Sequence, residues 1–441
     1  MKYYSEITTV KAAKDLFLVE TMDGKYLVDN VTAAIARLNE NININNPDHV
    51  RQIVSSLDAN REKKRVFSPN EYIEKRKLSR LMLYPTNSCN LRCIYCHCNS
   101  SFGDDMTDDI LYAAVDKYCQ HVESRLDIIK EYGETPQITF MGGGEPFLRI
   151  GKIKEIVEYF TAKCKYYGLQ PRYVIVTNTT LGTDSDWQWL VHNGFLINLS
   201  LDGPPEIQDR NRPIYGGHPS SPKVINRLKY LSDLGATCHV RSTVLSAKDI
   251  DAICSFFEKF SCVHTHALEP CSLAGRAKDN QLDISEETFY TEFFEKYSEY
   301  LFANPSRYKS SWFKPFKRTE GFCGAVYCNA IVHPSGTITL CSEVGANERN
   351  NDIRKQFVVG NVKDVGSVYE SDKAITFSKE HSLDALAHCR DCVIKYKCGG
   401  GCYIKRVRDF DDSETFWNAF CRNAINLNIS YLIGCLDNEQ K

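Results

Sequence analysis

The chain has 441 residues, a formal net charge of −2 and 43% hydrophobic residues. This length exceeds one ordinary domain and indicates two or three. The nearly neutral charge argues against nucleic-acid binding and against adsorption to an anionic membrane. No apolar run reaches the roughly 20 residues of a membrane-spanning helix, and MKYYSEITTVKAAKDLF lacks a signal-peptide core. We therefore expect a cytoplasmic protein without a nucleic-acid or membrane partner.

The chain contains 19 cysteines, most of them in two groups. Four fall within residues 89–98, and eight more lie between Cys323 and Cys421. The cytosol keeps thiols reduced, so clustered cysteines there indicate metal binding or catalysis rather than a disulfide framework.

The N-terminal segment is expected to form a small domain over residues 1–60. Residues 14–28 have the pattern of two strands joined by an Asp-Gly turn. NVTAAIARLNE and NPDHVRQIVSSL each begin with Asn, a preferred helix N-cap, and predict two short helices. Together these elements suggest a winged-helix-like domain, followed by a polar, mostly basic linker over residues 61–80.

From residue 81 onward, short β-branched runs alternate with amphipathic segments. This alternation predicts βαβ units and a parallel sheet. Six such units over residues 81–270 are fewer than the eight of a complete barrel, so we expect an α/β fold with an open, partial (β/α)6 TIM-like barrel. Chemistry in such a barrel is placed at the C-terminal ends of the strands. The runs are LMLYPT, QITFMGG, YVIVTN, LINLSLD, HVRSTVL and HTHALEP.

Beyond the barrel, the sequence signals become weaker. Residues 271–320 form a bridging region with one clear helix, SEETFYTEFFEKYSEYLF. Residues 321–441 are rich in cysteine and show little regular pattern, so we expect a C-terminal domain organised by metal.

The first cysteine group follows the first barrel strand directly. Cys89, Cys93 and Cys96 can ligate three irons of a cubane cluster and leave the fourth iron open. A zinc site is the alternative, with His97 or Cys98 as the fourth ligand.

The motif Cys89-Asn-Leu-Arg-Cys93-Ile-Tyr95-Cys96 resembles the CxxxCxΦC signature of the radical S-adenosylmethionine (SAM) superfamily. The resemblance implies that Tyr95 flanks the adenine of SAM. It further implies that the strand-end motif GGEP binds the SAM amino group, and that other strand ends contact the ribose or the methionine carboxylate. IQDRNRP is similar to the family's HDxxR segment, with Gln208 where His is usual. The implied cofactor-binding residues are Gly143, Gly144, Glu145, Pro146, Asn178, Ser200, Asp202 and Arg241.

The second cysteine group resembles the SPASM extension, an iron–sulfur domain with the pattern CX9–15GX4C, CX2CX5CX3C and a final C. Twelve residues separate Cys323 from Gly336, inside that range, whereas seven separate Cys328 from Gly336. Cys328 therefore either ligates a cluster or is not a ligand, in which case one iron stays open. For the whole block, a pair of structural zinc sites is the alternative. The resemblance implies auxiliary cluster I on Cys323, Cys328, Cys341 and Cys402, and auxiliary cluster II on Cys389, Cys392, Cys398 and Cys421.

The N-terminal segment resembles leader-peptide recognition domains, which add a bound peptide as an extra strand on a sheet edge. The resemblances together imply a SPASM peptide maturase with three [4Fe–4S] clusters, SAM and an external one-electron reductant. A 5′-deoxyadenosyl radical would take hydrogen from a ribosomally made precursor peptide, and a thioether or carbon–carbon crosslink would follow.

Three other functions remain open. The first is sulfatase-maturase-like oxidation of Cys or Ser, although those enzymes have Asp after the equivalent of Cys341 and this chain has Ser342, then Glu343. The second is peptide epimerisation, with Cys271 as the catalytic hydrogen donor. The third is an iron–sulfur module that binds a peptide without catalysis.

Overall fold

This computed structural model describes residues 1–13, 15–38, 80–98, 102–284, 286–315, 318–319, 321–327, 329–345, 350–366, 369, 371–408 and 420–439. The second predicted N-terminal helix, residues 61–79 of the predicted linker and Cys328 lie outside these residues. Within them, no helix combines the length and apolar character needed to cross a membrane.

The N-terminal segment forms a four-stranded antiparallel sheet in the order β1-β2-β3-β4. The predicted pair of strands is present, with register from Leu16 opposite Asp29 to Thr21 opposite Gly24. The strand before them was not expected; its residues from Thr8 to Ala12 are exposed or partly buried, as is typical of a sheet edge. The strands are β1 (Thr8–Ala13), β2 (Leu16–Thr21), β3 (Gly24–Asp29) and β4 (Ile35–Arg37).

The prediction of a helix for NVTAAIARLNE is wrong in its described part. The Asp29 carboxylate accepts hydrogen bonds from the backbone N–H groups of Val31 and Thr32, at 2.8 and 3.2 Å, and stabilises a turn. An aspartate that bonds the following backbone in this way offers an alternative to helix formation. The residues after the turn form β4, which pairs with β3 instead.

The barrel prediction is confirmed. β5 (Leu81–Leu83), β6 (Gln137–Phe140), β7 (Arg172–Thr177), β8 (Leu196–Ser200), β9 (Cys238–Val244) and β10 (Val263–Pro270) form a continuous run of parallel strands. β6 is buried on both faces, as expected for a strand enclosed in an α/β core.

Helices separate the barrel strands and cover the outer face of the sheet. The amphipathic segment after β6 forms the helix Ile150–Tyr166, whose buried residues Ile153, Ile156 and Phe160 recur at helical spacing. The barrel helices are Asp108–Glu123, Leu126–Tyr132, Ile150–Tyr166, Asp184–His192, Pro205–Asn211, Ser221–Asp233 and Ile250–Phe257, with short 3₁₀ helices at Pro146–Arg149 and Ala247–Asp249.

The C-terminal region extends the barrel sheet, which the sequence did not indicate. β12 (Ala330–Val332) lies parallel to β5, and β13 (Thr337–Thr339) and β14 (Val358–Asn361) continue the sheet in antiparallel order. At the opposite edge, β11 (Tyr308–Lys309) adds to β10. In the described part of the chain this sheet has ten strands, so the cysteine-rich region is joined to the barrel by backbone hydrogen bonds.

The C-terminal region is also more helical than expected. The predicted bridging helix is present as Glu286–Ala303. The other helices described after residue 270 are Arg276–Asp279, the 3₁₀ helix Gly324–Tyr327, Asn351–Phe357, Asp372–Glu380, Ala387–Arg390, Lys395–Cys398, Tyr403–Arg408 and the 18-residue Arg422–Glu439.

The N-terminal sheet lies against this cysteine-rich region. Asn30 donates to the carbonyl of Cys392 at 3.2 Å, and Lys11 forms an ion pair with Asp391. At the other edge of the sheet, Arg37 of β4 pairs with Asp437 at 3.0 Å. The sheet is therefore anchored next to the second cysteine group.

Candidate active site

The first cysteine group lies on the loop that follows β5. Its three thiols are close enough to affect one another's ionisation. Burial raises the pKa of Cys93 to about 12; the nearby Arg212 cation opposes this, and charges on Cys96 and Cys89 add to it. Burial also raises the pKa of Cys89 to about 11. A metal that binds here must displace these protons, as it does in other thiolate sites.

The glycine loop after β6 packs directly on this cysteine loop. Gly144 N–H donates to the backbone carbonyl of Thr86 at 3.0 Å, and Glu145 N–H donates to the backbone carbonyl of Ser88 at 2.9 Å. A Cβ on Gly144 would collide with the carbonyl of Ser88, and a Cβ on Gly143 would collide with the side-chain amide of Asn87. Only glycine allows the two loops to approach this closely.

The carboxylate of Glu145 turns inward rather than towards an open cleft. It is 2% exposed and accepts hydrogen bonds from Thr177 Oγ1 at 2.6 Å, Asn178 N at 2.7 Å and Phe147 N at 3.1 Å. Burial raises the pKa of Glu145 to about 7, against the effect of these donors. The carboxylate therefore ties the loop to the end of β7.

Asn178 contacts the cysteine loop from the end of β7. Its Nδ2 donates to Asn90 Oδ1 at 2.9 Å and lies 3.9 Å from Cys89 Sγ. Its Oδ1 accepts from Thr180 Oγ1 at 2.6 Å. The structure thus places Asn178 beside the first thiol of the motif.

Ser200 and Arg241 are register partners across β8 and β9. Arg241 lies on the same face of β9 as Thr243, opposite the buried Val240. Its side chain is 66% exposed, and its guanidinium is 3.9 Å from Glu269. This cation is therefore accessible on the inner face of the barrel, where a ligand carboxylate could bind.

Asp202, expected to contact the cofactor, is instead fully buried behind the cysteine loop. It accepts from Tyr95 Oη at 2.5 Å, Thr243 N at 3.1 Å and Asn211 Nδ2 at 3.3 Å. It also forms an ion pair with Arg212 at 2.9 Å. Both carboxylate oxygens are thus committed to protein groups, and the Tyr95 hydroxyl is held by Asp202.

Gln208, which stands where His is usual in the HDxxR segment, supports Asp202 from the other side. Its Oε1 accepts from Asp202 N at 2.9 Å and its Nε2 donates to Ser220 Oγ at 3.0 Å. The neighbouring Asp209 accepts from the backbone N–H groups of Ser220 and Ser221, at 2.7 Å each. An amide can accept and donate simultaneously, so it satisfies both buried partners.

Residues 211–215 run beside the cysteine loop and hydrogen-bond to it. Arg92 N donates to the backbone carbonyl of Pro213 at 2.7 Å, and Ile94 N donates to that of Asn211 at 3.0 Å. Tyr215 N donates to the backbone carbonyl of Asn90 at 2.9 Å. The segment therefore fixes the backbone on both sides of Cys93.

A second segment, residues 275–280, holds the other side of the loop. Arg276 donates from its backbone N to Cys96 O at 3.0 Å and from Nη1 to Cys93 O at 3.2 Å. Asn280 Nδ2 donates to Ile94 O at 2.7 Å. Sequence reasoning missed these residues, because single Arg and Asn side chains after a strand carry no spacing signal.

The SPASM-like cysteines form two further groups. In the first, Cys341 and Cys402 are within electrostatic range of each other and of Cys323. Burial raises the pKa of Cys402 to about 12; Glu343 and Cys323 add to the rise, and Lys405 opposes it. The structure thus brings together the three described members of predicted auxiliary cluster I.

The other group lines a small pocket, and it comprises Cys389, Cys392, Cys398 and Cys421. Burial raises the pKa of Cys389 to about 11, with Cys398 adding to it and Arg406 opposing it. Lys395 and Arg406 also line the pocket. Four thiols can ligate a cluster, and the two cations would balance its negative charge.

The remaining candidates are less accessible to a substrate. Cys271 is 2% exposed, and its Sγ lies 3.6 Å from the carbonyl of Ser272. Cys98 is partly buried, and its Sγ is 3.1 Å from His97 Nε2. Among the described His, Cys, Asp and Glu side chains, no three converge closely enough to hold one metal ion.

The thiol groups fit iron–sulfur clusters in their chemistry, because each thiolate binds a different iron of a cubane and the thiols need not converge on one ion. The inner face of the barrel offers the accessible Arg241 cation and the close-packed glycine loop. The exposed cation suits a ligand that carries a carboxylate group.

Comparisons with protein families agree with this site. Residues 83–258 match the radical SAM superfamily, and residues 323–393 match the SPASM iron–sulfur cluster-binding domain. The first region contains the barrel strands from β6 to β9, and the second contains cysteines of both SPASM-like groups.

The chain is also similar to curated enzymes. A cysteine-type anaerobic sulfatase-maturating enzyme of Clostridium perfringens (strain 13) is 25% identical over 372 residues, covering 78% of this chain and 93% of the relative. A serine-type anaerobic sulfatase-maturating enzyme of Bacteroides thetaiotaomicron is 23% identical over 381 residues, covering 78% and 86%.

Among solved structures, native anSMEcpe with bound AdoMet and Cp18Cys peptide aligns with a TM-score of 0.62 and 21% identity, over 81% of this chain and 99% of that one. This similarity supports the fold. With the two family matches and the SAM-type cysteine loop, it leads to one conclusion: the chain is a radical SAM enzyme with a SPASM iron–sulfur domain.

Proposed function

We propose that this enzyme modifies a precursor peptide that docks on the N-terminal sheet, and that it installs a thioether or carbon–carbon crosslink. The observation that carries the proposal is the position of this sheet. Asn30 and Lys11 attach it next to Cys392 and Asp391 of the SPASM region. A peptide added to its edge would start beside the cysteine clusters.

The outer edge of β1 is the proposed docking edge. Within the described residues β1 pairs with β2 alone, so its other side offers backbone groups to an added strand. Its residue Val10 is 52% exposed. About a fifth of this chain lies outside the alignment with the Clostridium perfringens enzyme, which is itself 93% covered. This supports an additional module in the present protein.

In this proposal Cys89, Cys93 and Cys96 hold the SAM-binding cluster, and the two SPASM groups hold auxiliary clusters, three clusters in all. SAM and a reduced cluster supply a 5′-deoxyadenosyl radical when bound. The protein positions and shields the reaction: Gly143 and Gly144 let the glycine loop pack directly on the cysteine loop, and Arg241 would bind the carboxylate of the ligand. An external one-electron donor and a reducing cytoplasmic setting complete the proposal.

Oxidation of Cys or Ser in a protein substrate is the second candidate, favoured by the similarity to sulfatase-maturating enzymes over 372 residues. Ser342 after Cys341 argues against it, since those relatives are expected to carry Asp there. The hydroxyl is a poor proton acceptor at neutral pH, whereas a carboxylate is an effective one. Glu343 lies near Cys341 and would have to replace that base. Epimerisation is less supported, because Cys271 is buried.

The test is anaerobic co-expression with the small open reading frame next to the gene, followed by mass analysis of the peptide. Loss of two hydrogens with a new fragment linkage supports the crosslink. Unchanged mass with deuterium uptake from solvent would indicate epimerisation instead. Failure of fully reconstituted protein to produce 5′-deoxyadenosine would reject every enzymatic proposal and leave the peptide-binding module.

A further inference from the structure

Arg212 is a buried cation next to the first cysteine loop. Its residue is 8% exposed, and its neighbours Asn211 and Pro213 accept backbone hydrogen bonds from Ile94 and Arg92 at 3.0 and 2.7 Å. Arg212 therefore lies in the segment that runs directly beside Cys93.

The guanidinium is held in place by two partners. Its Nε lies 2.9 Å from Asp202 Oδ1, and both side chains are at most 9% exposed. It also lies over the Tyr95 ring at 5.3 Å, within the range of a cation–π interaction. Because Asp202 accepts from Tyr95 Oη at 2.5 Å, Arg212 and Asp202, both buried, form one connected unit with the partly buried Tyr95.

We propose that Arg212 is a positioning residue that holds Tyr95 and Asp202 and makes one-electron reduction of the first cluster easier. This rests on the proposed role of Cys89, Cys93 and Cys96 as cluster ligands. Reduction takes one electron from an external donor and adds one negative charge to the cluster. A fixed cation nearby stabilises the reduced form more than the oxidised one, and burial limits screening by salt.

Asp202 is expected to make reduction of the first cluster harder, the opposite of the effect of Arg212. Its negative charge partly offsets Arg212, and the pair keeps a buried charge compensated. Removing the cation leaves the carboxylate uncompensated, whereas removing the carboxylate leaves the cation uncompensated. The two substitutions should therefore shift the midpoint potential in opposite directions, which a general loss of structure would not do.

The experiment is a potentiometric titration of anaerobically reconstituted full-length protein, monitored by EPR. The first cluster is identified as the signal that changes when SAM is added. Arg212→Gln should shift its midpoint to a more negative value, and Arg212→Lys should stay near the wild type. Arg210→Gln is the matched control, two positions before Arg212 in the chain. The Arg210 side chain is 51% exposed and pairs with Asp249, so its replacement should leave the midpoint potential unchanged.

Asp202→Asn is the second variant and should shift the midpoint to a more positive value. A wild-type midpoint in Arg212→Gln with an intact SAM-sensitive signal would overturn the proposal. If Arg212→Gln does not assemble its cluster, a wild-type or more negative midpoint in Asp202→Asn overturns it. Absence of any SAM-sensitive signal in the wild type would instead reject the cluster assignment itself, so the two failures are distinguishable.

Discussion

Tyr84 Oη donates a hydrogen bond to the carbonyl of Ser342 at 3.0 Å. Tyr84 follows β5 at the catalytic end of the barrel, and Ser342 follows Cys341 in the SPASM region. The Tyr84 ring also packs edge-on against His333, with ring centroids 4.9 Å apart. One buried side chain therefore links the two iron–sulfur regions, in addition to the pairing of β5 with β12.

Tyr84→Phe is expected to lower the stability of the protein by about 1–2 kcal/mol, because it leaves the carbonyl of Ser342 without its partner. Thermal unfolding of the reconstituted protein measures this effect. Tyr166→Phe is the control, since that side chain is 85% exposed. Equal unfolding temperatures for the two variants would show that the hydrogen bond contributes nothing.

Cys96→Ala should remove the first cluster and abolish SAM cleavage, whereas Cys98→Ala should preserve both. Cys98 lies outside the three-cysteine motif and is directed to His97 at 3.1 Å. Iron analysis and 5′-deoxyadenosine formation are the measurements. Cys96→Ala should lose about one third of the iron if three cubane clusters are present. Loss of iron in Cys98→Ala would instead assign that thiol to the cluster.

Gly275→Ala should disrupt the first cluster. Gly275 has φ of +52°, and an added Cβ would lie 2.5 Å from Cys96 O and 2.6 Å from His97 O. The cysteine loop would have to move, so the EPR signal that responds to SAM should be lost or strongly reduced.

Gly133→Ala is the control for Gly275→Ala. Gly133 also has a positive φ, +64°, but a Cβ added there would meet no atom within 4 Å. Its replacement should cost about 1–2 kcal/mol of backbone strain and leave the SAM-sensitive signal intact. If both variants lose that signal equally, contact with the cysteine loop is not the cause.

Regular strands with polar residues at their ends were predictable from the sequence. The runs from LMLYPT to HTHALEP have the β-branched composition of buried strands, and they form β5 to β10. The direction of individual side chains was not predictable. Asp202 at a strand end suggested a ligand contact, yet Arg212, several residues later, draws it into a buried pair.

The N-terminal misprediction has a similar physical cause. Asn30 at the start of NVTAAIARLNE suggested a helix cap, but the preceding Asp29 binds the following backbone N–H groups and forms a turn. Pairing of Ile35–Arg37 with β3 then replaces helical hydrogen bonds with strand hydrogen bonds. Tertiary pairing of this kind overrides a weak local propensity.

The pH dependence of stability should contain a contribution from Glu145. Its pKa in the folded protein is about 7, raised by burial from an ordinary value of 4.5. The folded state therefore binds this proton more tightly than the unfolded chain. The associated stability is fully present below pH 4.5 and is lost as the pH rises through about 7, a change of about 3 kcal/mol for a shift of this size.

Glu145→Gln remains neutral at every pH, so it should lack this loss. The unfolding temperature of the variant minus that of the wild type should increase between about pH 5.5 and pH 8, across the interval set by the raised pKa of Glu145. Glu134→Gln, at an exposed position, provides the comparison and should give a constant difference. A constant difference for Glu145→Gln as well would mean that hydrogen bonds from Thr177, Asn178 and Phe147 keep the carboxylate ionised throughout, and that burial is the smaller effect.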